Sequence, residues 1–333
     1  MRISYVLPSL SFSGGVRVVF DYADRLQRRG HDVKIVAPKI LPHPLTYLRR
    51  VGLNTTFSKF LQTQNTDFNR QWGTEVEVIE IPYFSDTVTR FLSAAVSDSD
   101  IVIATEWRTA EPVCALDVDA EKYHFVQHYE VHGLWNCTRC WDEVTANNED
   151  IDEPLDIAML NVENSHDHGR EKSKVDRALR SPLPKIVIST FLEQIITDHV
   201  EQPIASKIPN GIDFDTFYCE EEPDYSCVLA PYRDTKHKGS SDAIEAFRKI
   251  RSRRSNVDFA MFGPVEADLP NWIEYHHSIS DDKLRRLYSE AGIFLFPSWC
   301  EGFGLPVAEA MACRSAIVTT DVGAVPDLGV SGR

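Results

Sequence analysis

The sequence predicts an α/β fold of two doubly wound domains, and three observations carry that prediction. Its 333 residues exceed what one domain of about 150 residues accounts for. A strand, a glycine loop and a helix open the chain and run into a second β-branched strand, the βαβ unit of parallel sheets. A second strand-and-helix alternation begins after a charged stretch near residue 220.

The elements justify themselves in order. Ile3 to Leu7 is an apolar strand that ends in Ser13-Gly14-Gly15, after which Val19, Tyr22, Ala23 and Leu26 recur at helical spacing until Arg28-Arg29-Gly30 closes the helix. Val33 to Ala37 is the next strand. Val76 to Ile81, Ile101 to Ala104, His124 to Gln127 and Lys185 to Ser189 continue the series, as a parallel sheet covered on both faces requires. Asn136 to Asp156 is acidic and reads as loop. Cys219 to Asp224, with three consecutive Glu and a Pro, has the composition of an exposed linker, which divides the chain into residues 1–218, 219–224 and 225–333. Beyond it come strand Cys227 to Ala230, helix Asp242 to Ile250, strand Asp258 to Phe262, helix Asp281 to Ala291, strand Ile293 to Phe296, helix Pro306 to Cys313 and strand Ala316 to Thr319.

Charge narrows the function. Lys+Arg 35 against Asp+Glu 50 leaves −15, which argues against a nucleic-acid partner and against a broad basic membrane face. Runs such as Ile293 to Phe296 fall far short of the roughly 18 apolar residues of a spanning helix. The first residues are too short an apolar stretch for a secretion signal, and seven scattered Cys fit reduced thiols, so a cytoplasmic location is expected.

Three motifs carry chemistry. Gly14-Gly15 after the first strand lets backbone N–H groups approach a phosphate, but the G-x-G-x-x-G spacing of a dinucleotide redox site is absent. Arg233 and Lys238, with Lys236 and His237 between them and Gly239 after, make a basic strand-to-helix loop suited to an anion. Glu301-Gly302-Phe303-Gly304-Leu305-Pro306 follows a strand; Gly302 and Gly304 bare donors at a helix start, Pro306 fits the first helical position, and Glu301 and Glu309 can accept from sugar hydroxyls. Asp-x-Asp pairs at Asp98/Asp100, Asp117/Asp119, Asp150/Asp152 and Asp213/Asp215 are the chance yield of an acidic chain, and Cys137 and Cys140 make half a zinc site with no second Cys pair. No metal and no resident cofactor are expected.

The two Glu with seven residues between them, Glu301 and Glu309, together with Gly14-Gly15, Arg29-Gly30-His31-Asp32-Val33, Ile208-Pro209-Asn210-Gly211-Ile212-Asp213, the Arg233 to Lys238-Gly239 spacing and Phe296-Pro297-Ser298, resemble the retaining glycosyltransferases of family 4. The resemblance implies a GT-B fold, two Rossmann-like domains facing a cleft, and transfer of a sugar from a nucleotide-diphosphate donor to an acceptor hydroxyl with retention, in surface polysaccharide or glycan synthesis. It implies donor-diphosphate binding by Arg233 and Lys238, a backbone cradle over Gly302, Phe303, Gly304 and Leu305 with Gly14 and Gly15 facing the donor, a ribose ligand in Glu309, and Glu301 and His128 at the reaction centre. A glycan or lipid-linked acceptor, held by loops between Lys39 and Gln71 and between Tyr129 and Asp156, and peripheral membrane association are implied too. The chain departs from the family at Tyr129, where Asp is frequent, at Arg314, where Gly is common, and at Gly323-Ala324, where a Gly pair is common; ending at Arg333 it implies an incomplete second domain. An epimerase or phosphorylase on the same fold, and a catalytically silent nucleotide-sugar-binding protein, are the alternative readings.

Overall fold

The computed structural model of the protein describes residues 1–11, 13–39, 68–82, 88–129, 168–220 and 222–329. The loops expected to hold an acceptor, between Lys39 and Gln71 and between Tyr129 and Asp156, lie almost wholly outside the described residues, and Cys137, Cys140, Asp150, Asp152 and Arg333 lie outside them too. The packing divides into two units: the described residues from Ile208 onward, together with Ile188–Leu192, form the second, and the other described residues form the first.

The first unit runs β1 (Arg2–Val6), α1 (Gly14–Arg28), β2 (Asp32–Lys39), α2 (Phe68–Trp72), β3 (Glu77–Pro82), α3 (Val88–Val96), β4 (Ile101–Ala104), α4 (Trp107–Cys114), β5 (Glu121–Val126), α5 (His168–Leu179), β6 (Lys185–Val187), a π-helical turn (Ile195–His199) and β7 (Ile204–Lys207), while α6 (Thr190–Gln194) is divided between the units after Leu192. Its sheet is parallel in the order β3-β2-β1-β4-β5-β6-β7, so the strand order reverses between β1 and β4. That reversal opens the crevice at the carboxyl ends of the strands where ligands bind in such folds. Val6, Val36, Val102 and Ala104 pack on one face against Leu92 and Val96 of α3 and Ala110 and Val113 of α4.

The second unit runs β8 (Asp224–Pro231), α7 (Ser240–Arg251), β9 (Asp258–Gly263), β10 (Ile273–His277), α8 (Asp281–Glu290), β11 (Ala291–Phe296), α9 (Leu305–Ala312), β12 (Ala316–Thr319) and α10 (Val325–Leu328). The order β10-β9-β8-β11-β12 is again parallel, with its switch between β8 and β11. Alternation along each strand feeds two cores. Val228, Ala230, Phe259 and Met261 meet Ala243 and Phe247 of α7, while Leu229, Phe262, Phe294 and Phe296 meet Tyr288 of α8 and Val307 and Ala310 of α9.

Residues 208–223, expected to close the first domain and form the linker, pack with the second unit: Phe217 is 2% exposed in its core, and β8 already starts at Asp224. Two strands carried no sequence signal, β7 and β10. Both are edge strands, where one neighbour is missing and polar residues such as Ser206, Glu274 and His276 interrupt the apolar pattern. Gly14 and Gly15 are the first residues of α1 rather than a turn before it, with Ser13 capping the Val16 N–H at 3.4 Å. Helix α9 likewise starts one residue early, so Pro306 is its second residue, where its missing N–H still has no helical acceptor.

His124 on β5 is 1% exposed, lies beside Lys185 in register and is pushed down to about 3, by burial first and by the Lys185 charge second. Its folded-state pKa is depressed while the unfolded imidazole titrates near 6.5, so the unfolded state binds more protons between these values. Stability therefore falls as pH drops from about 6.5 toward 3, by about 1.4 kcal/mol per pH unit from this group. Urea midpoints at pH 7.5 and pH 5 should separate less for His124→Leu than for the parent; equal separations would rule the group out.

Candidate donor site

The second unit gathers its site from two loops at the carboxyl edge of its sheet. Loop Tyr232 to Gly239 follows β8, and loop Pro297 to Gly304 follows β11, the two central strands of the switch. The loops touch as backbones. Trp299 N donates to the His237 carbonyl at 2.8 Å, and a Cβ on Gly239 would stand 2.0 Å from the Pro297 carbonyl oxygen. Gly239 also has φ +69°, so its identity is required twice. Trp299 further donates through Nε1 to Asp242 Oδ2 at 2.7 Å and lies under Lys236, whose Nζ is 5.5 Å from the ring centroid.

Arg233 is half-buried. Ser240 holds its backbone from both sides, accepting from Arg233 N and donating to Arg233 O, each at 2.8 Å. Its guanidinium donates to the Tyr232 carbonyl at 2.9 Å and makes no ion pair among the described residues. Burial lowers its pKa, while Tyr288, Glu301, Tyr275 and Glu309 act the other way. The charges of both motif carboxylates thus reach this arginine.

Lys238 Nζ lies 2.9 Å from Glu301 Oε1, and Ser298 Oγ donates to the same oxygen at 2.8 Å. Glu309, on the first turns of α9, is 7% exposed and accepts from Tyr288 Oη at 3.1 Å; burial and then the Glu309 charge hold that phenol well above its ordinary pKa, so it stays a donor. Gly304 caps α9 at φ +87° with no side-chain cap; Pro306 has no N–H and Val307 N donates to the Gly304 carbonyl at 2.9 Å, so Leu305 N is the first-turn donor that no backbone carbonyl takes among the described residues. Gly302, Phe303 and Gly304 are buried, the Phe303 ring at 5% exposure in the core, so this stretch offers backbone rather than side chains.

The departures from the family pattern acquire a geometry here. A Cβ on Gly323 would stand 2.5 Å from the Glu301 carbonyl oxygen, at φ +57°, whereas Ala324 has φ −87° and is fully buried. Only the first of the two positions needs glycine. Arg314, where Gly is common in the family, has φ +67°.

The first unit collects the other predicted residues around β1 and β5. Gly15 approaches Gln127, whose Oε1 would be 3.5 Å from a Gly15 Cβ, and half-buried His128 follows directly. The sequence reading missed Tyr288, Ser240 and Trp299, which orient Glu309, the Arg233 loop and the His237 loop. Tyr288 and Ser240 lie on helices with no local pattern that marks a polar role. Of the Asp-x-Asp pairs, Asp98 binds Lys34 at 2.6 Å and Asp100 binds Arg2 at 3.0 Å. Among the described residues, no helix is long and apolar enough to cross a membrane.

Residues 220–332 match the family Glycosyl transferases group 1. The chain is 42% identical over 57 residues to the O-antigen chain mannosyltransferase B of Escherichia coli, covering 17% of this chain and 15% of that one. It is 28% identical over 155 residues to the MMP alpha-(1->4)-mannosyltransferase of Mycolicibacterium hassiacum, covering 43% and 38%. The match thus spans well under half the length of these curated relatives. The structure of HepE from Anabaena in complex with UDP-glucose superposes with a TM-score of 0.63 at 12% identity, covering 100% of this chain and 84% of that one. At that identity the likeness establishes the fold, which is GT-B.

Gly239→Ala and Gly15→Ala should part sharply. The first forces a left-handed backbone and a carbonyl clash, and should cost more than about 1 kcal/mol. The second meets ordinary contact at 3.5 Å and should leave the melting temperature within about 2 °C of the parent. A Gly239→Ala protein that melts with the parent would show that the loops part freely.

Proposed function

From the match to glycosyl transferases group 1, we propose that this chain is a nucleotide-sugar-dependent glycosyltransferase that moves a hexosyl group to an acceptor hydroxyl with retention at the anomeric carbon. The observation that carries the reading is the convergence, at one sheet edge, of Arg233, Lys238 and an uncapped helix start with two oriented carboxylates. That set suits a nucleotide-diphosphate sugar: cations and backbone donors for the diphosphate, carboxylates for ribose and sugar hydroxyls. The name of the HepE structure gives UDP-glucose as a ligand of that neighbour, which supports the same class of donor here.

Bond cleavage between the sugar and the diphosphate develops negative charge on the leaving group. Arg233, Lys238 and the Leu305 N–H at the start of α9 meet that charge in fixed positions, so little reorganisation opposes the step. Glu309, oriented by Tyr288, takes the ribose hydroxyls. Both bonds to Glu301 fall on Oε1, which leaves Oε2 for a hydroxyl of the transferred sugar. His128 is proposed as a group at the reaction centre, the role that the family resemblance implies for it. These cations and backbone donors can do the work that a metal does in other transferases, so turnover is proposed to be metal-independent. A glycan or lipid-linked acceptor is favoured by the O-antigen relative, and a cytoplasmic enzyme that meets such an acceptor at the membrane surface is the matching setting.

Arg233→Ala and Lys238→Ala should each weaken nucleoside diphosphate by about 1.5–3 kcal/mol, roughly 10- to 150-fold, and leave the nucleoside nearly unchanged. Calorimetry reads both; parental affinity for the diphosphate would sink the assignment. Glu309→Ala should raise the donor KM, whereas Glu301→Ala and His128→Ala should lower kcat. Release of nucleoside diphosphate should require acceptor and survive EDTA, and loss of turnover that added Mn²⁺ restores would remove the metal-independent reading.

A further inference from the structure

The residue after His128 is tied down by a buried network that no motif announces. Tyr129 is 6% exposed and its Oη donates to Asp176 Oδ1 at 2.7 Å. His199 Nε2 lies 3.2 Å from Asp176 Oδ2 and 3.3 Å from the phenol oxygen, with the two rings edge to face at 6.1 Å between centroids. Burial, and then the Asp176 charge, raises the Tyr129 pKa, so the phenol keeps the proton it donates. With the phenol O–H directed at Oδ1, the arrangement assigns Nε2–H of His199 as the donor to Oδ2.

The three residues come from three places in the first unit: the segment that follows β5, helix α5 and the π-helical turn Ile195–His199. A π turn is rare and tends to occur at functional sites; here it ends on the imidazole that meets Asp176. Asp176 is 4% exposed, and a carboxylate so buried is tolerated when donors satisfy its oxygens. Both of its oxygens carry one.

We propose that Tyr129, Asp176 and His199 are positioning residues that hold His128 at the carboxyl edge of the first sheet, an inference that rests on the reading of His128 as the residue at the reaction centre. None of the three needs to touch substrate. A tyrosine fixed at both ring and hydroxyl leaves the preceding peptide little freedom, and a displacement of about 1 Å at a reacting group can cost about 100-fold in rate. Tyr129 stands where Asp is frequent in the family that the sequence resembles, so this chain anchors the segment through its own device.

The test compares Tyr129→Phe, Asp176→Ala and Asp176→Asn with the parent by two readouts. One is the NMR signal of the His128 imidazole, assigned with His128→Gln. The other is transfer kinetics with a nucleotide sugar, at a temperature where melting curves show each variant folded. Tyr129→Phe and Asp176→Ala should shift and broaden the His128 ring signals and lower kcat by about 10- to 100-fold with the donor KM changed less than about twofold. Asp176→Asn, which can still accept from Tyr129, should recover most of both. Ring signals that stay parental in Tyr129→Phe and Asp176→Ala overturn the inference, as does a kcat that falls only in proportion to the folded fraction. If the parent transfers from no nucleotide sugar, the enzymatic reading fails on its own, while the imidazole signals still decide whether the network holds His128.

Discussion

The close approach of two loop backbones in the second unit is the constraint on which the donor site depends. Gly239 lets the β8–α7 loop lie against the Pro297 carbonyl, and Trp299 N closes the contact on the His237 carbonyl. Only with the loops this near can Lys238 reach Glu301 and can the Arg233 guanidinium share a field with Glu301 and Glu309. Gly323 adds a third approach, lying against the carbonyls of Glu301 and Gly302. Each glycine is therefore a spacing device, and the charged residues inherit their geometry from it.

Electrostatics explain why such a site can stand in a chain of net charge −15. Lys238 faces a Glu301 carboxylate that Ser298 already hydrogen-bonds, and the Arg233 guanidinium donates to the Tyr232 carbonyl, so each charged group has a polar partner. The Lys238–Glu301 pair keeps both groups in place, and a diphosphate can draw on the lysine without the loop refolding. The fully buried Tyr288 does for Glu309 what Ser298 does for Glu301: each supplies a hydroxyl that aims a carboxylate. Arg233 and Lys238 are thus fixed donors, and preorganised donors of this kind lose little to reorganisation as charge develops.

The first unit solves a related problem with different chemistry. Its polar groups sit at the ends of β1, β4 and β5, beside the reversal of strand order, where neighbouring loops diverge and side chains need support from behind. Thr105 donates to the Val6 carbonyl at 2.8 Å across that reversal, and Gln127 reaches toward Thr105 O at 3.5 Å. Buried hydrogen bonds of this sort hold crevice residues without occupying the crevice.

Local pattern was enough for most of the architecture. Apolar β-branched runs, helical periodicity and glycine punctuation marked ten of the twelve strands among the described residues, because central strands buried on both faces must be apolar whatever surrounds them. The spacing of Glu301 and Glu309 and the run Arg233 to Gly239 were equally legible, since a loop-to-helix junction is a local object. The edge strands β7 and β10, the assignment of residues 208–223 to the second unit, the left-handed Arg314, and the partnerships of Tyr288, Ser240 and Asp176 were not. Each of those is decided by a contact with a group far along the chain, and a pattern read residue by residue holds no record of which distant atom a side chain will meet. The sequence by itself determined two parallel sheets and the chemistry of their loops; tertiary structure decided which hydroxyl aims which carboxylate, because that follows from packing distance rather than from order along the chain.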